Sequence, residues 1–321
     1  MNEKQAAKPR PTLAELDRTC QKLGHRHLGN WMARHVARPL ALRVTWIIAP
    51  WGISAHAATL AAWGCGLAAA VAFACGTPLS WAAGAVLLQA WYLLDHVDGQ
   101  LARLHRTESL DGVALDYLMH HSLALVVPCG VGCGLSLATL NPIWSLAGCA
   151  WGVAALLAGL ANDVRYKAMF QRLKRVDGRL ATVGGGGGRP VPAPPVPRRL
   201  VPLLGWLARK SIEGHVVMNV LTLLAITIGF AGHVELWFVP LYVVLSTAAA
   251  LVVMARVLWT MTHRDDAEQE FAAWFRPEAG TVMTFRHGWW IVEPAANAQE
   301  AAPPPHSHHS PARRKLDTQS T

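Results

Sequence analysis

The sequence predicts an all-α, polytopic membrane protein with six transmembrane helices, and three observations carry that expectation. The 321 residues are 52% hydrophobic and only 15% charged, against about 25% charged in ordinary soluble domains. The missing charge is concentrated: no Lys or Arg occurs within residues 44–102, 107–164 or 211–255. Each gap is long enough for a pair of spans of about 20 residues apiece. Turn chemistry then divides each gap once, at Gly76-Thr77-Pro78, at Thr139-Leu140-Asn141-Pro142 and at Gly229-Phe230-Ala231-Gly232, with residues that end helices and open turns.

In chain order, residues 1–30 are polar and basic, without the apolar stretch of a secretory leader. They are expected to form a loosely ordered segment with no cleavable signal. Residues 31–50 interleave Arg34, Arg38 and Arg43 with Trp31, Leu40, Trp46 and other apolar side chains. That alternation reads as an amphipathic helix lying in the membrane interface, or as a plain juxtamembrane helix with no lipid preference. The transmembrane domain follows over residues 51–262, with spans at 54–75, 79–101, 112–137, 143–164, 212–230 and 236–258.

Between the fourth and fifth spans, residues 172–202 hold five successive glycines (184–188) and a proline-rich run. Without the G-K-[ST] of a phosphate loop, this is expected to be a flexible cytoplasmic linker. Residues 263–321 form a tail in which 265–275 suits a short helix, and 281–285 with 289–292 suit a hairpin around His287-Gly288. The end of the tail has a disordered composition, so His306, His308 and His309 read as solvated residues rather than metal ligands.

Orientation follows from the basic residues. With the N-terminus in the cytoplasm, all 29 Lys and Arg fall on the cytoplasmic side, and the opposite loops near Thr77, Asn141 and Gly232 hold none. This positive-inside pattern puts both termini in the cytoplasm of a bacterial-type inner (plasma) membrane. The net charge of +9 is then a membrane-surface charge. No nucleic-acid-binding motif accompanies it, so the expected partners are membrane lipids with anionic headgroups and no nucleic acid. The six cysteines include no CxxC pair, and five lie in or beside spans, where they serve as small apolar fillers.

Chemistry concentrates between residues 95 and 120. Asp95, Asp98 and Ala102 share one face of the second span, and Gly112, Asp116 and His120 share one face of the third, because residues three or four apart in a helix are neighbours. An acidic side chain at the centre of a membrane helix costs about 2.5–3.5 kcal/mol on insertion scales, so it is usually functional. Converging carboxylates repel unless protons or a cation compensate, and an aspartate cluster suits a divalent cation such as Mg2+, Mn2+ or Ca2+. Spacing alone is compatible with a metal-dependent phosphoryl-transfer enzyme, a packing network or a cation-coupled carrier; no Gly/Pro-broken helix pair favours the carrier.

The full pattern, Asp95-x2-Asp98-Gly99-x2-Ala102-Arg103-x8-Gly112-x3-Asp116-x3-His120, closely resembles the signature of the CDP-alcohol phosphotransferase family. Seven of its eight positions match. The resemblance implies transfer of a substituted phosphate from a CDP-linked donor, CDP-diacylglycerol foremost, to an alcohol or phosphorylated alcohol, with release of CMP on the cytoplasmic face. It further implies phospholipid synthesis by a homodimer. Carried over, Asp95, Asp98 and Asp116 hold Mg2+ or Mn2+ against the donor diphosphate. Gly99, Ala102 and Gly112 leave room for the nucleotide, and Arg103 stands at the cytoplasmic mouth.

The last position departs from the family, which has a general-base Asp where this chain has His120. A histidine ordinarily titrates near 6.5 and is suited to base work, whereas the cluster loses one negative charge. His120 is therefore the expected catalytic base; the alternative is a catalytically impaired relative that binds nucleotide or lipid. Neighbouring His121 points about 100° away around the helix. Arg165 and Lys167, after Asn162 and Asp163 at the end of the fourth span, are expected either to bind a substrate phosphate or to anchor the span. Glu213, His215 and Asn219 open the fifth span as acceptor-pocket lining or interfacial capping residues.

Overall fold

The computed structural model describes residues 12–21, 29–182 and 196–295. The chain divides into two compact units, Met1–Asn162 with Gly188–His263, and Asp163–Gly187 with Arg264–Thr321.

The first unit is helical. It contains α1 (Leu13–Cys20), a π-helical turn (Ala33–Ala37) running into α2 (Arg38–Ile48), α3 (Ala55–Ala74), α4 (Pro78–His105) and α5 (Leu110–Thr139). Most of α6 (Ile143–Leu173), then α7 (Leu200–Ser211), α8 (Gly214–Ala231) and α9 (Phe238–His263) complete it. Each of the six expected spans is a helix. Five of them, α3, α5, α6, α8 and α9, are long and apolar enough to cross a membrane. The sixth, α4, is 28 residues long, but Gln89, Tyr92, Asp95, Asp98 and its tryptophans dilute its apolar run. Protein covers its polar half instead: α1, α2, α3 and α8 pack on α4, while Leu79 and Val86 in its first turns are exposed. A helix so enclosed can carry polar side chains that a lipid-facing one cannot.

Local chemistry explains where these helices start and stop. The Ser54 side chain accepts from Ala57 N–H to cap α3. Thr77 and Ser80 cap α4 reciprocally, with Pro78 in the first turn, where a missing N–H costs nothing. Leu140 ends α5 in the left-handed region at φ 54°, just before Pro142.

Glycines let backbones meet. A Cβ at Gly134 of α5 would lie 1.9 Å from the Phe73 carbonyl oxygen of α3, and one at Gly130 would lie 2.2 Å from that of Ala70. Small residues at helix interfaces allow this approach in a membrane, where apolar burial supplies little drive between helices. The main core gathers around Phe73, Trp81, Trp91, Trp151, Met218 and Ile228.

A helix is present where the sequence suggests an interfacial or juxtamembrane one. It buries Ala33, Ala37, Ala41 and Thr45, four apart on one face, and exposes Trp31, Leu40 and Ile47. Two hydrogen bonds of Gln100 on α4 hold it: Thr45 Oγ1 donates to Gln100 Oε1 at 2.9 Å, and Gln100 Nε2 donates to the Arg38 carbonyl at 3.3 Å.

The second unit holds the end of α6, strands β1 (Val176–Asp177) and β2 (Leu180–Thr182), α10 (Asp266–Trp274), β3 (Phe275–Pro277), β4 (Thr281–Arg286) and β5 (Trp289–Pro294). One sheet has the order β1-β5-β4, with β1 parallel and β4 antiparallel to β5; β2 and β3 form an antiparallel pair. Both the short helix and the hairpin expected in the tail are found. His287 and Gly288 turn the hairpin at φ 52° and 85°, as a two-residue primed turn requires.

Arg172 pairs with Glu268 and lies 4.9 Å from the Phe271 ring centre and 4.2 Å from that of Trp290. The expected linker at 172–202 thus begins as the end of α6 and two short strands, and its last residues open α7. The glycine run, His306, His308 and His309 lie outside the described residues.

Candidate functional site

The site is built where α4 ends and α5 begins. Arg106 closes α4 in the left-handed region at φ 55°, its N–H bonded to the Ala102 and Arg103 carbonyls. Thr107 N–H donates to the same Ala102 carbonyl at 2.9 Å. Ser109 then caps α5, its Oγ accepting from Gly112 N–H at 3.0 Å. This four-residue turn carries the chain from the last turns of α4 into the first turns of α5, and side chains of both line one cavity, while α3 packs on both helices.

A cavity of about 720 Å³ opens there, and all eight signature positions line it: Asp95, Asp98, Gly99, Ala102, Arg103, Gly112, Asp116 and His120. Within it, ligand atoms of Asp95, Asp116 and His120 lie within 4.8 Å of one another. His120 Nε2 is 3.2 Å from Asp95 Oδ1 and 3.5 Å from Asp116 Oδ1. The Trp91 ring meets the imidazole edge-on, with centres 5.8 Å apart, which helps to fix its orientation. Two carboxylates and an imidazole are a chemically suitable set for a divalent cation, and the nitrogen suits Mn2+ better than the all-oxygen environment typical of Mg2+.

Asp98 faces the same cavity but stands outside this group of three. It is 8% exposed, and its Oδ2 accepts from Thr59 Oγ1 on α3 at 2.7 Å. The two small positions have distinct neighbours: a Cβ at Gly99 would lie 3.2 Å from an Arg103 guanidinium nitrogen, and one at Gly112 3.6 Å from His56 Nε2. Arg103 Nε donates to the Cys20 carbonyl, so α1 fastens the side chain at the cavity wall. Arg38 also lines the cavity; burial lowers its pKa from the ordinary arginine value.

Sequence reasoning missed His56, Thr59 and Arg38 as lining residues. A signal for the first two was present: His56 and Thr59 are three residues apart at the start of an otherwise apolar span, hence on one face. Arg38 carried no such sign, because only the packing of α2 on α4 brings it to the cavity. The lining residues all belong to the first unit. Arg165 and Lys167 belong to the second, where Arg165 lies 3.3 Å from Glu270 and Lys167 is exposed. His215 sits 3.6 Å from Glu213, and Asn219 Oδ1 accepts from Gln89 Nε2 at 3.4 Å.

No family model matches the chain. No curated protein matches it. Among solved structures, it is similar to the crystal structure of Mycobacterium tuberculosis phosphatidylinositol phosphate synthase with CDP-DAG bound. The TM-score is 0.48 at 16% identity, over 72% of this chain and 96% of that one.

Proposed function

We propose that the protein is an integral membrane transferase of the CDP-alcohol phosphotransferase kind. In this reading it moves a substituted phosphate from a CDP-linked donor, CDP-diacylglycerol foremost, to an alcohol, and releases CMP. The observation that carries it is the convergence of all eight signature positions on one cavity of about 720 Å³. Sequence spacing does not guarantee that convergence; it depends on the turn between α4 and α5.

Asp95 and Asp116, with the second oxygen of Asp98, would hold the cation, and its chemistry is to neutralise the donor diphosphate. Gly99, Ala102 and Gly112 leave space for the nucleotide, and Arg103 adds a positive charge at the wall. The acceptor oxygen bonds to the donor phosphorus that leaves CMP, the bond from that phosphorus to the bridging oxygen breaks, and the hydroxyl proton must go to a base. His120 takes that role. Nε2 lies 3.2 Å from Asp95 Oδ1 and 3.5 Å from Asp116 Oδ1; with a proton kept on Nε2, Nδ1 is the nitrogen that accepts the acceptor's proton, and the two nearby carboxylates stabilise the resulting imidazolium. The side chain is 42% exposed, so an acceptor entering from water reaches it.

A second reading rests on the same short distances. If Nε2 itself ligates the cation, Nδ1 carries the remaining proton and cannot serve as base; turnover then needs another group or is lost. Purified protein supplied with CDP-diacylglycerol, Mn2+ or Mg2+ and pooled alcohol acceptors tests the proposal, with CMP and new lipid read by mass. CMP release that depends on both acceptor and cation supports it. Donor binding without CMP release under every acceptor would rule out the transferase and leave a binding protein. Cation-dependent solute uptake into vesicles without CMP release would indicate a carrier.

A further inference from the structure

A second cavity, of about 460 Å³, lies between α1 and the helix formed by the π turn and α2. Three guanidinium side chains line it, Arg34, Arg38 and Arg43, against one carboxylate, Asp17; His35 is the other titratable group on the wall. Leu13, Pro39 and Leu42 supply an apolar side. Arg34 Nε is buried with no hydrogen-bond partner among the described residues, a state that buried donors rarely keep. Arg34 and Arg38, one helical turn apart, also repel each other: the Arg34 charge adds to burial in lowering the Arg38 pKa. An anion in the cavity would offset that repulsion and bond to the outer guanidinium nitrogens.

We propose that this cavity binds the phosphate of an anionic phospholipid, with Arg34 and Arg38 contacting the phosphate, Arg43 adding positive charge at the rim, and the Leu13, Pro39 and Leu42 wall receiving the root of the acyl chains. A soluble phosphate would have no use for that apolar wall. The helix itself exposes Trp31, Leu40 and Ile47, the arrangement of an element lying at the lipid headgroups. Of the cavity's lining, only Gln21 and Arg38 also line the reaction cavity. Occupancy is therefore distinct from catalysis and is measurable without turnover.

The test is a titration of the full chain, purified in neutral detergent, with short-chain phosphatidylglycerol or phosphatidylcholine, read by native mass spectrometry. Wild-type protein should prefer phosphatidylglycerol by about tenfold or more, given roughly 1 kcal/mol per basic residue at an anionic surface. Arg34→Gln/Arg43→Gln should remove most of that preference, and Arg34→Lys/Arg43→Lys should keep it. Should the neutral double variant fail to fold, Arg43→Gln alone, at an exposed rim position, should still lower the preference severalfold. No preference in the wild type overturns the proposal, as does an unchanged preference in folded neutral variants. Inorganic phosphate displacing the lipid as effectively as phosphatidylglycerol overturns the lipid as occupant.

Discussion

His120 holds one nitrogen, Nε2, within 3.5 Å of two carboxylates, and its two conceivable roles compete for that atom. As base, it keeps a proton on Nε2 and accepts through Nδ1; as ligand, it gives the Nε2 lone pair to the cation. His120→Ala separates these roles. The expected outcome is a fall in kcat of about 10²–10⁴-fold, the usual contribution of a positioned base, with Mn2+ affinity little changed in a metal titration. A parallel loss of cation affinity would make His120 a ligand instead. His120→Asp should retain turnover and favour Mg2+ relative to the wild type, because it restores an oxygen-only set. At Asp98, removing the Thr59 hydroxyl leaves a nearly buried carboxylate short of a donor. Thr59→Val is therefore expected to cost about 1–3 kcal/mol, read as a lower thermal midpoint in detergent, and to reduce CMP release as Asp98 shifts.

At the scale of elements, the site depends on where α5 starts and on how closely α5 approaches α3. Ser109 caps α5 one turn before Gly112 and two turns before Asp116. Ser109→Ala should cost about 0.5–2 kcal/mol and lower kcat more than Ser109→Asp, which can still cap; paired melting and turnover measurements check this. Farther along α5, Gly134 sits against the Phe73 carbonyl. Gly134→Val has no space and should destabilise by about 1–3 kcal/mol or more through overpacking, whereas Gly229→Ala on α8, where a Cβ meets nothing within 4 Å, should be near neutral. Detergent melting of the pair gives the comparison. The helices themselves were readable from charge gaps and turn residues. Their glycine contacts were not, because spacing does not show which face of α5 meets α3.

At the scale of the whole molecule, the expected orientation makes a direct prediction. Single cysteines placed at Thr77, Asn141 and Gly232 in a cysteine-free background should react with a membrane-impermeant maleimide only from outside the cell, as the absence of Lys and Arg in those loops implies. Labelling of any of them only after the membrane is opened would reverse that part of the topology. Arg165→Ala is expected to raise the KM for a phosphorylated acceptor with kcat little changed; an unchanged KM would leave Arg165 as the partner of Glu270.

Much of this protein is written in its sequence because membranes impose simple rules. Charge is scarce within a span, basic residues gather in the segments between spans, and turn residues mark the ends; the six helices, the helix that precedes them and the tail hairpin follow from those patterns and from local turn chemistry. The signature residues were likewise legible, since helical spacing places Asp95 with Asp98 and Asp116 with His120. Tertiary structure decided what spacing could not: which carboxylates meet. The turn between α4 and α5 brings Asp95, Asp116 and His120 together across two helices, while α3 approaches closely enough for Thr59 to engage Asp98. The shielding of polar α4 by four neighbours, and the arginine-lined cavity beneath α1, also arise from contacts between segments distant in sequence. Such contacts depend on packing in three dimensions, and a one-dimensional pattern constrains only the face each helix offers.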